Sequence, residues 1–106
     1  MKDNGSIYIT INHLDDFMPI TNLKVGDNLT LKKELDNIYD DEAIAVYDKN
    51  NVKVGYVANS VHSVARGTYS AGRLYDRIND EIDCIIRFVF QEEANVIAEI
   101  HTERKK

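Results

Sequence analysis

Residues 6–12 place Ile7, Ile9 and Ile11 on one side and Tyr8 and Thr10 on the other, the period-two pattern of a half-buried strand. Similar short segments recur along the chain. In 29–33, Leu29 and Leu31 point inward, Lys32 lies on the other face, and Lys33 stands at the entry to an acidic loop. Residues 43–47 and 52–57 read as a hairpin around Asp48-Lys49-Asn50-Asn51, whose asparagines tolerate the positive φ that hairpin turns require. Residues 82–90 and 95–100 read as a closing hairpin around Gln91-Glu92-Glu93-Ala94. Ser60 is expected to cap a short helix to Ala65, with Gly67 at its stop, and Ser70 a second over 71–78. A helical turn is expected around Asp15 to Met18, and a tight turn at Val25-Gly26-Asp27. Six short strands with two small helices after the fourth do not suit a doubly wound sheet. They predict a mainly β domain, a small barrel or strongly curled antiparallel sheet.

Composition narrows the class. A chain of 106 residues, 43% hydrophobic and 29% charged, suits one soluble domain with its own core, expected over 6–101 with flexible tails at 1–5 and 102–106. No apolar run approaches the ~20 residues that span a bilayer. The first residues lack a signal-peptide core, and Cys84 stands alone, so no internal disulfide forms and the cytoplasm is expected.

The net charge of −5 argues against broad coating of duplex DNA, which relies on many Lys and Arg contacts to phosphate. Its distribution is uneven. Residues 1–50 hold five basic and ten acidic side chains, whereas 51–106 hold eight of each. From Lys49 to Tyr75 there is no acid; Lys49, Lys53, Arg66 and Arg73 alternate there with Tyr56, Tyr69 and Tyr75, a candidate basic and aromatic face.

The acidic loop carries the chemistry. Asp36, Asn37, Asp40, Asp41 and Glu42 are poor strand formers that lead directly into the apolar Ala43-Ile44-Ala45-Val46, and Tyr39 sits among them beside a carboxylate. In the simplest reading Tyr39 covers a core edge while Asp36 and Asp40 cap turns. A hard divalent cation is the alternative use of four carboxylates, but the EF-hand spacing is absent and no Lys or His lies nearby as a base. His13, His62 and His101 have no zinc-ligand spacing, and Cys84 falls in an apolar strand. No metal, cofactor or catalytic residue is therefore expected. Ser70-Ala71-Gly72-Arg73 reads either as a phosphate seat or as a tight helix entry packed on the barrel.

Asp36, Asn37, Tyr39 and Asp40, followed after two residues by Ala43-Ile44, resemble the HIRAN hallmark Asp-Asn-Pro-Tyr-Asp and its hydrophobic strand, four of five positions matching. The resemblance runs back to residues 23–31 and forward through Val54-Gly55-Tyr56-Val57 to Ser70-Ala71-Gly72-Arg73. It implies a six-stranded OB-like barrel and a module that captures the free 3′ end of single-stranded DNA. Such modules are usually attached to a helicase-like motor; none is encoded in these residues, so a separately encoded helicase or nuclease is the implied partner. The tyrosine would stack on the terminal base and the aspartate accept from its 3′-hydroxyl.

The implied nucleic-acid set is Tyr39, Asp40, Asn37, Tyr56, Asn59, Lys32, Lys33, Arg66 and Arg73. Departures are specific. Leu35, Ile38 and Asp41 stand where prolines are common, Asn59 stands where DNA-binding members offer a lysine, and Asp15 and Asp16 occupy a segment that is basic and aromatic in those members. A protein-interaction or homo-oligomerisation module that has lost its DNA face is the rival expectation.

Overall fold

Alternation along the strands is realised as a closed antiparallel barrel. The structure, a computed structural model, describes residues 5–12, 14, 17, 19–59 and 64–102. Its strands are β1 (Gly5–Asn12), β2 (Asn28–Lys33), β3 (Ile44–Tyr47), β4 (Lys53–Val57), β5 (Glu81–Phe90) and β6 (Asn95–Thr102), and the helix α1 (Ala71–Tyr75) precedes β5. Round the barrel the order is β1-β4-β3-β2-β5-β6, closing back on β1, with every neighbouring pair antiparallel. Ile9 and Ile11 of β1, Leu29 and Leu31 of β2, Ile44 and Val46 of β3, Val54 of β4, Ile86 of β5 and Ile100 of β6 fill the interior.

Two irregularities re-aim side chains. Between Ile86 and Phe88 the β5–β6 register slips, so Arg87 and Phe88 both face solvent and Val89 packs on the core. Such a bulge changes which parity faces inward. A second slip follows Val46 in the β3–β4 hairpin, whose turn holds Asn51 at φ 65, as its asparagines allowed. Asp48 caps that turn, accepting from Asn50 N and Val52 N.

The helix expected over 71–78 is shorter. α1 ends at Tyr75, because the chain turns there to bury Ile78. Arg77 N donates to Leu74 O, tightening the exit. A 3-10 turn forms at Ile20–Asn22, directly after Pro19, whose N–H-free backbone suits a helix entry. The expected helix start at Ser60 and the turn around Asp15 to Met18 fall outside the described residues, as do Asp15 and Asp16 themselves.

Thr10 is the one polar side chain buried among the described residues. It shares a hydrogen bond with the Thr68 hydroxyl at 2.9 Å and accepts from Ala65 N at 3.1 Å, which pins residues 64–69 against the outside of β1. Gly55 of β4 faces β1 so closely that a Cβ there would lie 2.6 Å from Asn12 O and 3.1 Å from Leu14 Cδ2. The nearest atom is backbone, so the seam itself must shift. Gly55→Ala should cost about 1–3 kcal/mol, read as a lower urea midpoint at unchanged denaturant slope.

Candidate nucleic-acid interface

Residues 34–43 join β2 to β3, and their shape follows from side chains that cap their own backbone. Glu34 N donates to Ala43 O at 2.9 Å, closing the base. Asn37 Oδ1 accepts from Tyr39 N at 2.8 Å and Asp40 N at 2.9 Å, and Asp40 Oδ1 accepts from Glu42 N at 2.9 Å. These are the Asx-type turns that Asn and Asp favour. Asp40 thus caps a turn with one oxygen, and its other oxygen makes no hydrogen bond to a described residue. Tyr39 does not cover a core edge: it is 92% exposed, beside Ile38 at 85%, with Leu35 at 69%.

Beneath the loop lies a charged brace. Lys53 Nζ stands 2.7 Å from Glu34 Oε2 and donates to Tyr56 Oη at 2.9 Å; the Tyr56 hydroxyl donates to Glu34 Oε2 at 3.0 Å. Asn37 Nδ2 donates to Glu34 Oε1 at 3.0 Å. Phe17 covers Tyr56 at 6.2 Å between ring centroids, and the Lys53 ammonium sits 4.9 Å from the same ring.

Burial pushes the Glu34 carboxyl up. Hydrogen bonds from Lys53, Asn37 and Tyr56, with the Lys53 charge, outweigh that and hold it below its ordinary 4.5. The Glu34 hydrogen bond raises Lys53 above its ordinary 10.5. Glu34 therefore contributes stability above 4.5 that fades as pH falls through its lowered value. Lys53 contributes below 10.5 and fades as pH rises through its raised one. The brace is intact throughout the neutral range.

The loop is latched to the segment after β4. Asn59 Nδ2 donates to Glu42 Oε1 at 3.2 Å, and Asn59 Oδ1 accepts from Gly72 N at 2.8 Å. A Cβ at 72 would sit 2.7 Å from Glu42 Oε1, so glycine there lets the end of the Glu42 side chain lie close to the start of α1. Ser70 caps α1 by accepting from Arg73 N. Beside the latch is an open cleft of about 350 Å³ lined by Asn59, Arg66, Thr68, Ser70 and Arg73, among others. Arg73 lies 4.1 Å from the Tyr69 ring centre and Arg77 5.3 Å, so two guanidinium groups share one aromatic ring.

The sequence-derived residues thus divide into groups. Asn37, Tyr39, Asp40 and Tyr56 meet in the loop and its brace, while Asn59, Arg66 and Arg73 line the adjoining cleft. Lys33 turns toward α1, donating to Ile78 O at 2.9 Å and lying 4.4 Å from the Tyr75 ring centre. Lys32 stands on the outer face of β2 with Asn51, Glu81 and Tyr47, and joins neither group.

Glu34 and Glu42 were missed as site residues, and Lys53 was read as part of a basic face and a candidate phosphate contact. In the register Ala45 pairs with both Tyr56 and Lys32, and so small a residue leaves room for Tyr56 and Glu34 to meet over it. Among the described residues no three His, Cys, Asp or Glu side chains gather as a metal site. Burial, with a smaller push from Asp83, raises the Cys84 thiol to about 12. Asn59→Asp would set a second carboxylate against Glu42. It should lower Tm by roughly 4 °C at neutral pH in calorimetry.

The HIRAN domain profile matches residues 5–90. The crystal structure of the HIRAN domain of human HLTF is similar with a TM-score of 0.68 at 18% identity, over 92% of this chain and 74% of that one. A protein from Lactobacillus plantarum is similar with a TM-score of 0.62 at 21% identity, over 96% of this chain and 100% of that one. No curated protein matches. With the profile spanning most of the sequence and the barrel, loop and latch built as described, the chain belongs to the HIRAN domain family.

Proposed function

We propose that this chain is a non-catalytic module that binds the 3′-hydroxyl end of single-stranded DNA through Tyr39 and Asp40. HIRAN domains are in general DNA-binding modules, without catalysis of their own. The observation that carries the finer reading is the pairing of a 92% exposed Tyr39 ring with Asp40, their backbone amides held side by side by Asn37. Folding does not account for that ring, which is left in water rather than buried. A base stacked on it gains roughly 1–3 kcal/mol whatever its identity. The open Asp40 oxygen accepts from a terminal hydroxyl as an ionised group does, strongly, and repels a terminal phosphate.

The strand behind the end would pass the latch toward Arg66 and Arg73, the cations of the set that line the adjoining cleft. In this reading the module works in the cytoplasm, in repair or end processing, with a separately encoded helicase or nuclease. One observation favours a second reading. Leu35, Ile38 and Tyr39 form an exposed apolar tip, the kind of patch that mediates protein association.

Fluorescence anisotropy with short labelled strands separates the two. A 3′-hydroxyl end should bind roughly tenfold more tightly than a 3′-phosphate end, and Tyr39→Ala or Asp40→Ala should each weaken binding by roughly the same factor. Equal affinity for both ends, or no loss in either variant, would overturn end recognition. Concentration-dependent sedimentation abolished by Ile38→Ser would instead support self-association.

A further inference from the structure

The loop that presents Tyr39 and Asp40 has little of what usually fixes a loop. Leu35, Ile38 and Tyr39 are exposed, so apolar burial does not hold its tip. It contains no proline either, since the chain's single proline is Pro19. What remains is a chain of polar contacts, and every link in it is directional. Lys53 Nζ and the Tyr56 hydroxyl donate to Glu34, and Glu34 Oε1 accepts from Asn37 Nδ2. Asn37 Oδ1 then accepts from both Tyr39 N and Asp40 N.

Asn37 has an acceptor on its nitrogen side and two donors on its oxygen side, so its amide has one workable orientation. Glu34 sets that orientation, and Lys53 sets Glu34. The Glu34 side chain is 17% exposed and that of Lys53 29%, so the pair is partly shielded from solvent.

We infer that Glu34 and Lys53 are positioning residues for end recognition, acting through Asn37 to hold the stacking ring and the hydroxyl acceptor side by side. The inference rests on the reading of Tyr39 and Asp40 as the end-binding pair. It assigns Lys53 a role different from that of a phosphate ligand: its ammonium is committed to Glu34, Tyr56 and the Tyr56 ring. A stiff loop presented in its bound shape loses less freedom on binding, which is how a residue that never touches the strand changes affinity.

The test uses the whole chain with Lys53→Met, Lys53→Arg, and the exchange Glu34→Lys with Lys53→Glu. In Lys53→Met the amides of Tyr39 and Asp40 should exchange with solvent roughly tenfold faster by NMR. Affinity for a 3′-hydroxyl oligonucleotide should fall by roughly the same factor, and the slope of log affinity against log salt should stay unchanged. Lys53→Arg should restore both. The exchanged pair should recover Tm but not end binding, because a lysine at 34 offers Asn37 Nδ2 no acceptor.

A salt slope shallower by about one with amide exchange unchanged would overturn the inference and make Lys53 a phosphate ligand. Recovery of end binding in the exchanged pair would overturn it too. If the native chain binds no strand end, the reading of Tyr39 and Asp40 fails instead, and the amide exchange rates alone decide whether the brace holds the loop.

Discussion

Closure of the sheet through β1 is the constraint from which the rest of the structure follows. β1 is paired with β6 from Gly5 to Ile11, yet meets β4 only at Ile11 and Asn12. Most of its second edge is therefore left without a strand, and an open edge of N–H and C=O groups is a liability in any sheet. The segment after β4 covers it. Ala58 N donates to Thr10 O, Tyr69 N donates to Tyr8 O, and Ile9 bridges Tyr69 in parallel. Thr10, buried by that cover, binds Thr68 and Ala65. The path of this segment is what carries Arg66, Arg73 and Tyr69 to the neighbourhood of the acidic loop.

Strand order supplies the other half of the site. Because β2, β3 and β4 are neighbours, the ends of β2 and β4 face each other across a short β3, and Ala45 is the small residue between them. A larger side chain at 45 would fill the space in which Tyr56 reaches Glu34. The brace joins the start of the loop to β4, a strand that does not pair with β2, and so ties the loop to the barrel at a point where the ladder cannot.

The strands were legible because one buried face writes a period of two, as in Ile7, Ile9 and Ile11 or Leu29 and Leu31. The bulge in β5 was not, because residues 84–90 are apolar on both parities apart from Arg87, and a slip of one residue leaves no mark in such a run. The length of α1 was misjudged because Ile78 fits a helical face equally well when it packs from a turn. In the site, Tyr39 and Asp40 could be named from the hallmark loop, and so could Asn37. Glu34 and Lys53 could not. Their meeting depends on the register of three strands, and in sequence they stand 19 positions apart. Lys32 was drawn into the set by its position next to the loop; alternation does put it on the face of Tyr56, across Ala45, but its ammonium is held by Asn51 and Glu81 instead.

The contact between Glu42 and Asn59 also marks a boundary in the field around the molecule. On one side stand the carboxylates of Asp36, Asp40, Asp41 and Glu42; on the other, within the cleft that Asn59 helps to line, stand Arg66 and Arg73. An anionic chain laid across such a step is favoured with its charged groups over the guanidinium groups and an uncharged end over the acids. Sliding its charged groups over the loop would set them against four carboxylates. The latch thereby divides the surface into an acidic side and a basic side, and a modest net negative charge is spread so that the two meet at one contact.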